Sequence, residues 1–443
     1  MSRTLPSSDA IYQLLVEDED ARVCKDIPDA ACNEQPRAFL AQVGAQTLTK
    51  IGDALTSSRL VLAWMMAAIG APGYLVALLV PIRESLSLLP QLFIAQWMRE
   101  HPVRKWFWVG GSLGQALALC GMVAALLLPL PGDGTAWAIV VLLALFSLSR
   151  GVCSVAAKDV LGKTISKSRR GRLTGIAASI AGLVTLAVAL LLWLFPRWGE
   201  TGSGDVDLFA VILAVAALLW CVAAAIYALT PEVPGATAGG GNAIGTAWKS
   251  LSLLRRDADF RAFLVGRILL VATAFAIPYI VVLLQRAGNG DGGALAVLLF
   301  AEGSAGLWSG RFWGRWSDAA AHRVMAAAAT MGAALLGAVL LIDAVAPAWL
   351  ANPVTAFTLF FLAAVAHQGA RVGRKTYLVD MANADNRAQY TAVSNTVMGV
   401  FLLGGAALGA VETLLGLNAV LLLLLLVSLL GIWRCATLRD VSG

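Results

Sequence analysis

The apolar positions of this chain fall in blocks about twenty residues long, divided by short polar loops. About twenty apolar residues are what a helix needs to cross the hydrocarbon core of a bilayer. Windows of that length predict spans at 56–72, 74–98, 105–130, 136–157, 173–196 and 207–229, and a second set at 261–284, 293–315, 323–346, 352–376, 389–412 and 416–436. Between the sets lies a hydrophilic segment. Its start, TPEVPGATAGGG, reads as a linker, and its end, AWKSLSLLRR, has the make-up of an amphipathic helix on the membrane surface. The expected organisation is a cytoplasmic tail at 1–50, a six-helix bundle at 51–229, a cytoplasmic linker at 230–260, a second bundle at 261–436 and a short tail at 437–443. The opening residues are polar and of mixed charge, which argues for a tail and against a signal peptide.

Composition narrows the class. With 443 residues, 59% hydrophobic and 14% charged, and a mean hydropathy of +0.77, the chain cannot be an ordinary soluble domain. A net charge of +6 would suit a nucleic-acid partner, but the Lys and Arg residues concentrate in alternate loops: REHPVRK (99–105), KTISKSRRGR (163–172), the central linker, and Arg315 to Arg323. The intervening loops hold little beyond Arg197 and Arg286. That bias sets orientation, placing the basic loops and both termini in the cytoplasm of an inner or plasma membrane protein, with no nucleic acid involved. The six cysteines show no C-x-x-C, and no His cluster stands at metal-ligand spacing. No metal, cofactor or disulfide framework is expected; CKDIPDAAC, from Cys24 to Cys32, reads as an ordinary reduced tail.

The sequence also repeats itself. Shifted by 218 residues, VLLFAEGSAGLWSGRFWGRWSDAAAHR (297–323) falls on LVPIRESLSLLPQLFIAQWMREHPVRK (79–105), bringing Glu302 onto Glu84, Asp318 onto Glu100 and Arg323 onto Lys105 without a gap. A second match, offset by 221, pairs RGVCSVAAKD (150–159) with RVGRKTYLVD (371–380), so that Arg150 meets Arg371 and Asp159 meets Asp380. The fold class that follows is an all-α membrane protein of twelve transmembrane helices in two pseudo-symmetric six-helix bundles, an architecture whose solute sites lie near midplane between the halves.

On these residues the chain resembles a transporter of the major facilitator superfamily, from about residue 50 to 436. The family's loop motif, G-x-x-x-D-R-x-G-R-R/K, is similar to GRFWGRWSDAAAHR (310–323) at Gly314, Asp318 and Arg323; the first-half copy, AQWMREHPVRK, has Gln96 for the glycine and Glu100 for the aspartate. The resemblance implies cytoplasmic latches in which loop charges pair with an acid at the end of helix 4 or its repeat: Arg104 and Lys105 with Asp159, and Arg323 with Asp380. Arg150 followed by Gly151 resembles the helix 4 Arg motif of proton-coupled members.

Glu84 and Glu302 each stand about ten residues from the outer end of a span, which at about 1.5 Å per residue is close to midplane. A charge at that depth costs about 2.5–3.5 kcal/mol, so a functional role is the default reading. Such a carboxyl can load a proton from one side and release it to the other; a purely structural, neutralised Glu is the other reading. Glu84, Ser87 and Gln91 make a polar stripe on one helix face. Arg83 points about 100° away from Glu84, toward another helix or the solute. Arg83, Arg150, Arg267 and Arg371, with Arg59 near the inner end of the first helix, outnumber the two acids and point to an anionic or zwitterionic solute, unless Arg150 and Arg371 serve as latches. His367, one turn before Arg371, fits either proton transfer or a packing role. Pro81 and Pro90 should bend the second helix, and the stripe of Gly306, Gly310 and Gly314, with Gly405, Gly409, Gly171 and Gly175, suggests close helix contacts.

The expected function is secondary active transport of a small organic solute, anionic or amphiphilic, by alternating access and coupled to protons, by a monomer in the bilayer. The other reading is a non-transporting receptor, scaffold or lipid-translocating protein of the same fold. No zinc motif, Ser/Lys pair or phosphate loop suggests an enzyme.

Overall fold

A bilayer offers the backbone no water, so a chain inside it must satisfy its N–H and C=O groups within helices. The computed structural model describes residues 27–128, 130–194, 204–235, 237, 252–288, 292–382 and 387–441, and among them there is no strand. Eleven stretches among the described residues are long and apolar enough to cross a membrane, and large apolar side chains such as Leu117, Leu183, Trp193 and Leu341 face outward from them. The protein is a multi-pass membrane protein.

The main helices are α1 (Gln35–Leu55), α2 (Val61–Ala68), α3 (Gly73–Leu88), α4 (Gln91–Arg99), α5 (Lys105–Leu127), α6 (Gly134–Thr164), α7 (Lys167–Leu194) and α8 (Gly204–Ala228) in the first half. The second half has α9 (Ala258–Leu269), α10 (Ala272–Ala287), α11 (Gly292–Val345), α12 (Pro353–Met381), α13 (Arg387–Gly404), α14 (Ala407–Leu415) and α15 (Leu417–Ala436). Helix α11 is two passes joined at Ala320, where the backbone leaves the helical region. Taking α1 with α2, α3 with α4, α9 with α10 and α13 with α14, each half of the described chain makes six passes.

The first pass begins far earlier than its apolar pattern predicts. Residues 35–50, expected to lie in the tail, belong to α1, which packs on α7 and α8 through Ala38, Phe39, Val43 and Ala45. The reason is physical: Gln46, Thr49, Lys50 and Asp53 recur at i, i+3, i+4 and i+7 and line a cavity, so they lower the hydropathy of a helix that is nonetheless enclosed. Upstream, Cys32 is in a disulfide, against the expectation of a reduced tail; Cys24 lies outside the described residues. Of AWKSLSLLRR, the part within the described residues forms the short helix Leu253–Arg256.

Two breaks mirror each other. The first pass is interrupted at 56–60 and its counterpart in the second half at 270–271. The second pass carries Pro81 inside α3 and is interrupted before α4, whose N-cap is Pro90, because proline has no N–H to continue the ladder.

The packing of the halves differs from one side to the other. On the side away from the basic loops, one apolar core runs through both halves, from Trp64 and Leu75 to Tyr279, Ile280 and Leu421. On the basic-loop side the cores are separate: Trp108 stacks on Tyr227 in the first half at 4.0 Å, and Phe263 on Tyr377 in the second at 5.2 Å. The halves are thus closed at one end and parted at the other. At the closed end Gln285 donates to the carbonyl of Trp64 at 3.1 Å, and a Cβ on Gly409 would lie 2.9 Å from the Cα of Tyr74. Of the glycine stripes, Gly405 and Gly409 do make close contacts, against Phe275 and Tyr74. A Cβ on Gly171, Gly175, Gly306, Gly310 or Gly314 would meet nothing within 4 Å, so close contact is not their role in this conformation.

Candidate functional site

The space between the halves is built around the broken first pass. Asp53, one turn before the break, accepts hydrogen bonds from Arg83 of α3 at 2.9 Å and from Arg150 of α6. One carboxylate thereby ties three passes together, and Arg83 also lies over the ring of Phe146, 4.2 Å from its centre. Arg59, within the break, donates through Nη2 to Glu84 at 2.5 Å and through Nη1 to Nε2 of His367 at 2.6 Å. A guanidinium has no acceptor, so Nε2 of His367 carries no proton and Nδ1 does, facing the hydroxyl of Thr273 at 3.5 Å. Since α12 belongs to the second half, Arg59 links the two.

Two spaces open toward the basic loops. One, of about 410 Å³, is lined by Gln46, Lys50, Asp53, Arg150, Cys153 and Lys158 within the first half. The other, of about 720 Å³, runs between Gln91, Arg104, Lys158 and Asp159 of the first half and Thr391 and Asn395 of the second. Helix α12 presents Arg371, Arg374 and Lys375 along the face that carries His367. Arg371 is within electrostatic reach of Arg59, Arg150, Glu84 and Asp53, and Lys375 of Lys50 and Lys158.

Glu302 of α11 faces the same centre, with Arg59 and Arg371 as its charged neighbours, and one of its carboxylate oxygens is buried without a hydrogen-bond partner. Gln91 donates back to the carbonyl of Ser87 at 2.8 Å and lines the larger space. Arg267 is turned into the second half, donating to Ser394 and to Asn395 at 3.2 Å, so it clamps α9 on α13 and leaves the central space to other cations.

At the basic-loop end of the first half Arg104 donates to Asp159 at 2.5 Å, and Lys163 bridges Asp159 at 3.0 Å and the enclosed Glu232 at 2.8 Å. Lys105 reaches the carbonyls of Ala228 and Thr230, not Asp159. Glu100 is exposed. The second half does not repeat this: Arg323 and Asp318 are exposed and form no ion pair among the described residues, while Asp380 is exposed near the end of α12. Outside the membrane passes, burial alone would raise the carboxyl pKa of Asp257, but the Tyr390 hydroxyl at 2.5 Å and the Phe260 N–H at 2.9 Å hold it below the usual aspartate range.

Asp53, Lys50, Arg374 and Lys375 were not singled out from the sequence. Lys50 falls in the predicted tail and Asp53 between that tail and the span predicted from residue 56, although the spacing of Gln46, Thr49, Lys50 and Asp53 is a helix-face signal. Arg374 and Lys375 stand one turn after Arg371, where the same spacing rule puts them on its face.

No family model and no curated protein matches the sequence. Solved structures do match in three dimensions. The nucleoside transporter NupG superposes with a TM-score of 0.66 at 12% identity, covering 91% of this chain and all of its own. A D-xylose-proton symporter gives 0.67 at 12% identity over 92% of this chain and 98% of its own. The inward open conformation of the xylose transporter XylE from E. coli gives 0.60 at 11% identity, over 91% and 95%. At such identities the likeness is one of fold: the chain has the fold of the major facilitator transporters.

Proposed function

We propose that the protein is a secondary transporter that carries a small anionic organic solute across the membrane by alternating access, coupled to protons, with both termini and the basic loops on the cytoplasmic side. The observation that carries the reading is Arg59, which holds a carboxylate of one half and a histidine of the other between halves closed at one end and parted at the other. A group that ties two rocking halves beside a cluster of cations responds to both solute and halves at once.

The chemistry follows from the donors. A carboxylate or phosphate arriving between the halves competes with Glu84 and His367 for the guanidinium of Arg59. Loosening that bridge removes a hydrogen bond between the halves and favours their re-closure around the solute. Glu302 supplies the coupling: its orphan carboxylate oxygen is satisfied by a proton, and access to it changes as the halves rock. His367, with its only free electron pair spent on Arg59, takes up a proton only when that bond opens. The conformation described here is the one open to the cytoplasm, in keeping with the likeness to an inward open sugar transporter. A single chain encloses the whole space, so a monomer suffices.

The test is solute-driven proton movement in proteoliposomes, with pooled organic anions and, as controls, neutral sugars and nucleosides. Movement driven by anions and abolished by Glu302→Gln is the expected result. Movement driven only by neutral solutes would overturn the anionic part of the reading, and silence with every pool would overturn transport.

A further inference from the structure

We infer that the central space takes a small organic anion bearing at least two negative charges close together, held by Arg371 and Arg374 of α12 from one side and Lys50 of α1 from the other. The inference rests on the transport reading for its purpose, but the site stands on its own geometry.

The repeat gives the first argument. Arg150 and Arg371 are equivalent under the 221-residue offset, and Arg150 is neutralised by Asp53. Asp53 stands two residues before the end of α1, and the residue two before the end of α9, at the mirrored break, is Arg267, a cation that cannot serve as a counter-ion. Arg371 has therefore lost the internal counter-ion that its twin retains. Among the described residues, Lys50, Lys158, Arg371, Arg374 and Lys375 form no ion pair; of the three carboxylates nearby, Asp53 is engaged by two guanidiniums and Glu84 by a third, and Glu302, within electrostatic reach of Arg371, is one acid against five cations.

The second argument is the shape of the cluster. Arg371, Arg374 and Lys375 stand at i, i+3 and i+4, the spacing at which like charges on a helix repel. Lys375 feels Arg371, Arg374, Lys158 and Lys50, Lys50 feels Arg371 across the gap, and Arg374 feels Glu84 as well as Arg371. A protein does not keep such a face in a membrane for packing; Arg371 and Lys375 are exposed and belong to no apolar core. One negative charge would leave most of the repulsion standing. A phosphate monoester or a dicarboxylate presents two charges and matches two guanidinium forks bidentately, and that shared dianionic chemistry is what the cluster selects.

The experiment measures binding to purified protein in detergent at pH 7.5 and fixed ionic strength, with two probe pairs that differ by one charge: methyl phosphate against dimethyl phosphate, and succinate against its monomethyl ester. Tighter binding of either dianion than of its partner, by tenfold or more, is expected, and which pair responds tells phosphate from carboxylate. Arg371→Gln and Arg374→Gln should each reduce that binding at least tenfold. If these variants owed their loss to misfolding, their unliganded melting temperature would drop; relief of repulsion predicts that it holds or rises, and Lys375→Gln gives the same check at the mouth of the site. Equal affinity for monoanions and dianions, dianion binding indifferent to both arginines, or no binding of any probe at millimolar concentration overturns the inference. Dianion binding without flux in proteoliposomes would sink the transport reading and leave the site intact. Flux of a neutral or singly charged solute unaffected by Arg371→Gln would do the reverse.

Discussion

Nη1 of Arg59 lies 2.6 Å from Nε2 of His367, and this contact joins the first six passes to the last six. The two residues are 308 positions apart in the chain. Neither half alone holds the arrangement, because Arg59 is fixed in turn by Glu84.

Replacing Arg59 tests whether the bridge matters. A lysine keeps the charge but has no planar fork, so it cannot reach Glu84 and His367 together. Arg59→Lys should lower the rate of solute flux by about 10- to 100-fold, the equivalent of about 1.5–3 kcal/mol for a charge-assisted hydrogen bond. Full flux in proteoliposomes would show that the bridge is dispensable.

The two midplane glutamates should separate in their effects. Glu302→Gln removes a titratable group without breaking an ion pair, so solute exchange under equal conditions should persist while gradient-driven uptake is lost. Glu84→Gln leaves Arg59 without its counter-ion, and both modes should fail. Comparing counterflow with uptake for each variant makes the distinction; identical behaviour of the two would contradict it.

Gly409 permits closure on the side away from the basic loops. An alanine there would push against the backbone of Tyr74 and the Cβ of Ala77, at 2.9 and 3.0 Å. Overpacking of this kind costs about 1–3 kcal/mol, enough to shift the two conformations by about 5- to 150-fold. Gly409→Ala should raise the accessibility of residues at that end to membrane-impermeant thiol reagents, read at a cysteine introduced at Gln285. Gly310→Ala, where a Cβ meets nothing, should not.

The basic-loop networks of the two halves should respond differently to charge reversal. The side chains of Arg104 and Asp159 are mostly buried against each other, at 10% and 28% exposure. Arg104→Asp should lower the melting temperature, by the loss of about 1.5–3 kcal/mol, and Asp159→Arg in the same chain should restore part of it. Reversal at Arg323, exposed and outside any ion pair among the described residues, should leave the melting temperature unchanged in this conformation. A rescue of Asp380 reversal by an acid at position 323, seen in flux, would place that pair in the opposite conformation.

Asp257 caps α9 and supplies a pH signature. Its carboxyl is held below the ordinary aspartate range, so its contribution to stability is fully present above the unfolded value of about 3.9 and is lost as pH falls through the folded value. Asp257→Asn keeps an N-cap acceptor but cannot ionise, and the difference in melting temperature between it and the wild type should shrink below about pH 4. Asp257→Ala should cost about 0.5–2 kcal/mol at neutral pH.

The sequence by itself determined the class, the count of passes and the duplicated halves, because each depends on local hydropathy or on self-comparison. Lipid-facing apolar blocks are read residue by residue, and Glu84, Glu302, Arg150 and Arg371 stand out as charges inside such blocks. What only the tertiary structure decided is partnership. Asp53 reaches Arg83 and Arg150 from a helix most of which hydropathy took for a tail, since a helix lining a polar cavity owes its place to enclosure and not to its own apolarity. Arg267, alike in sequence to the cavity cations, is turned into its own half by Ser394 and Asn395, 127 and 128 positions away. The unequal fates of Arg150 and Arg371 likewise arise only when helices distant in sequence meet, because a charge is neutralised by what lies beside it in space.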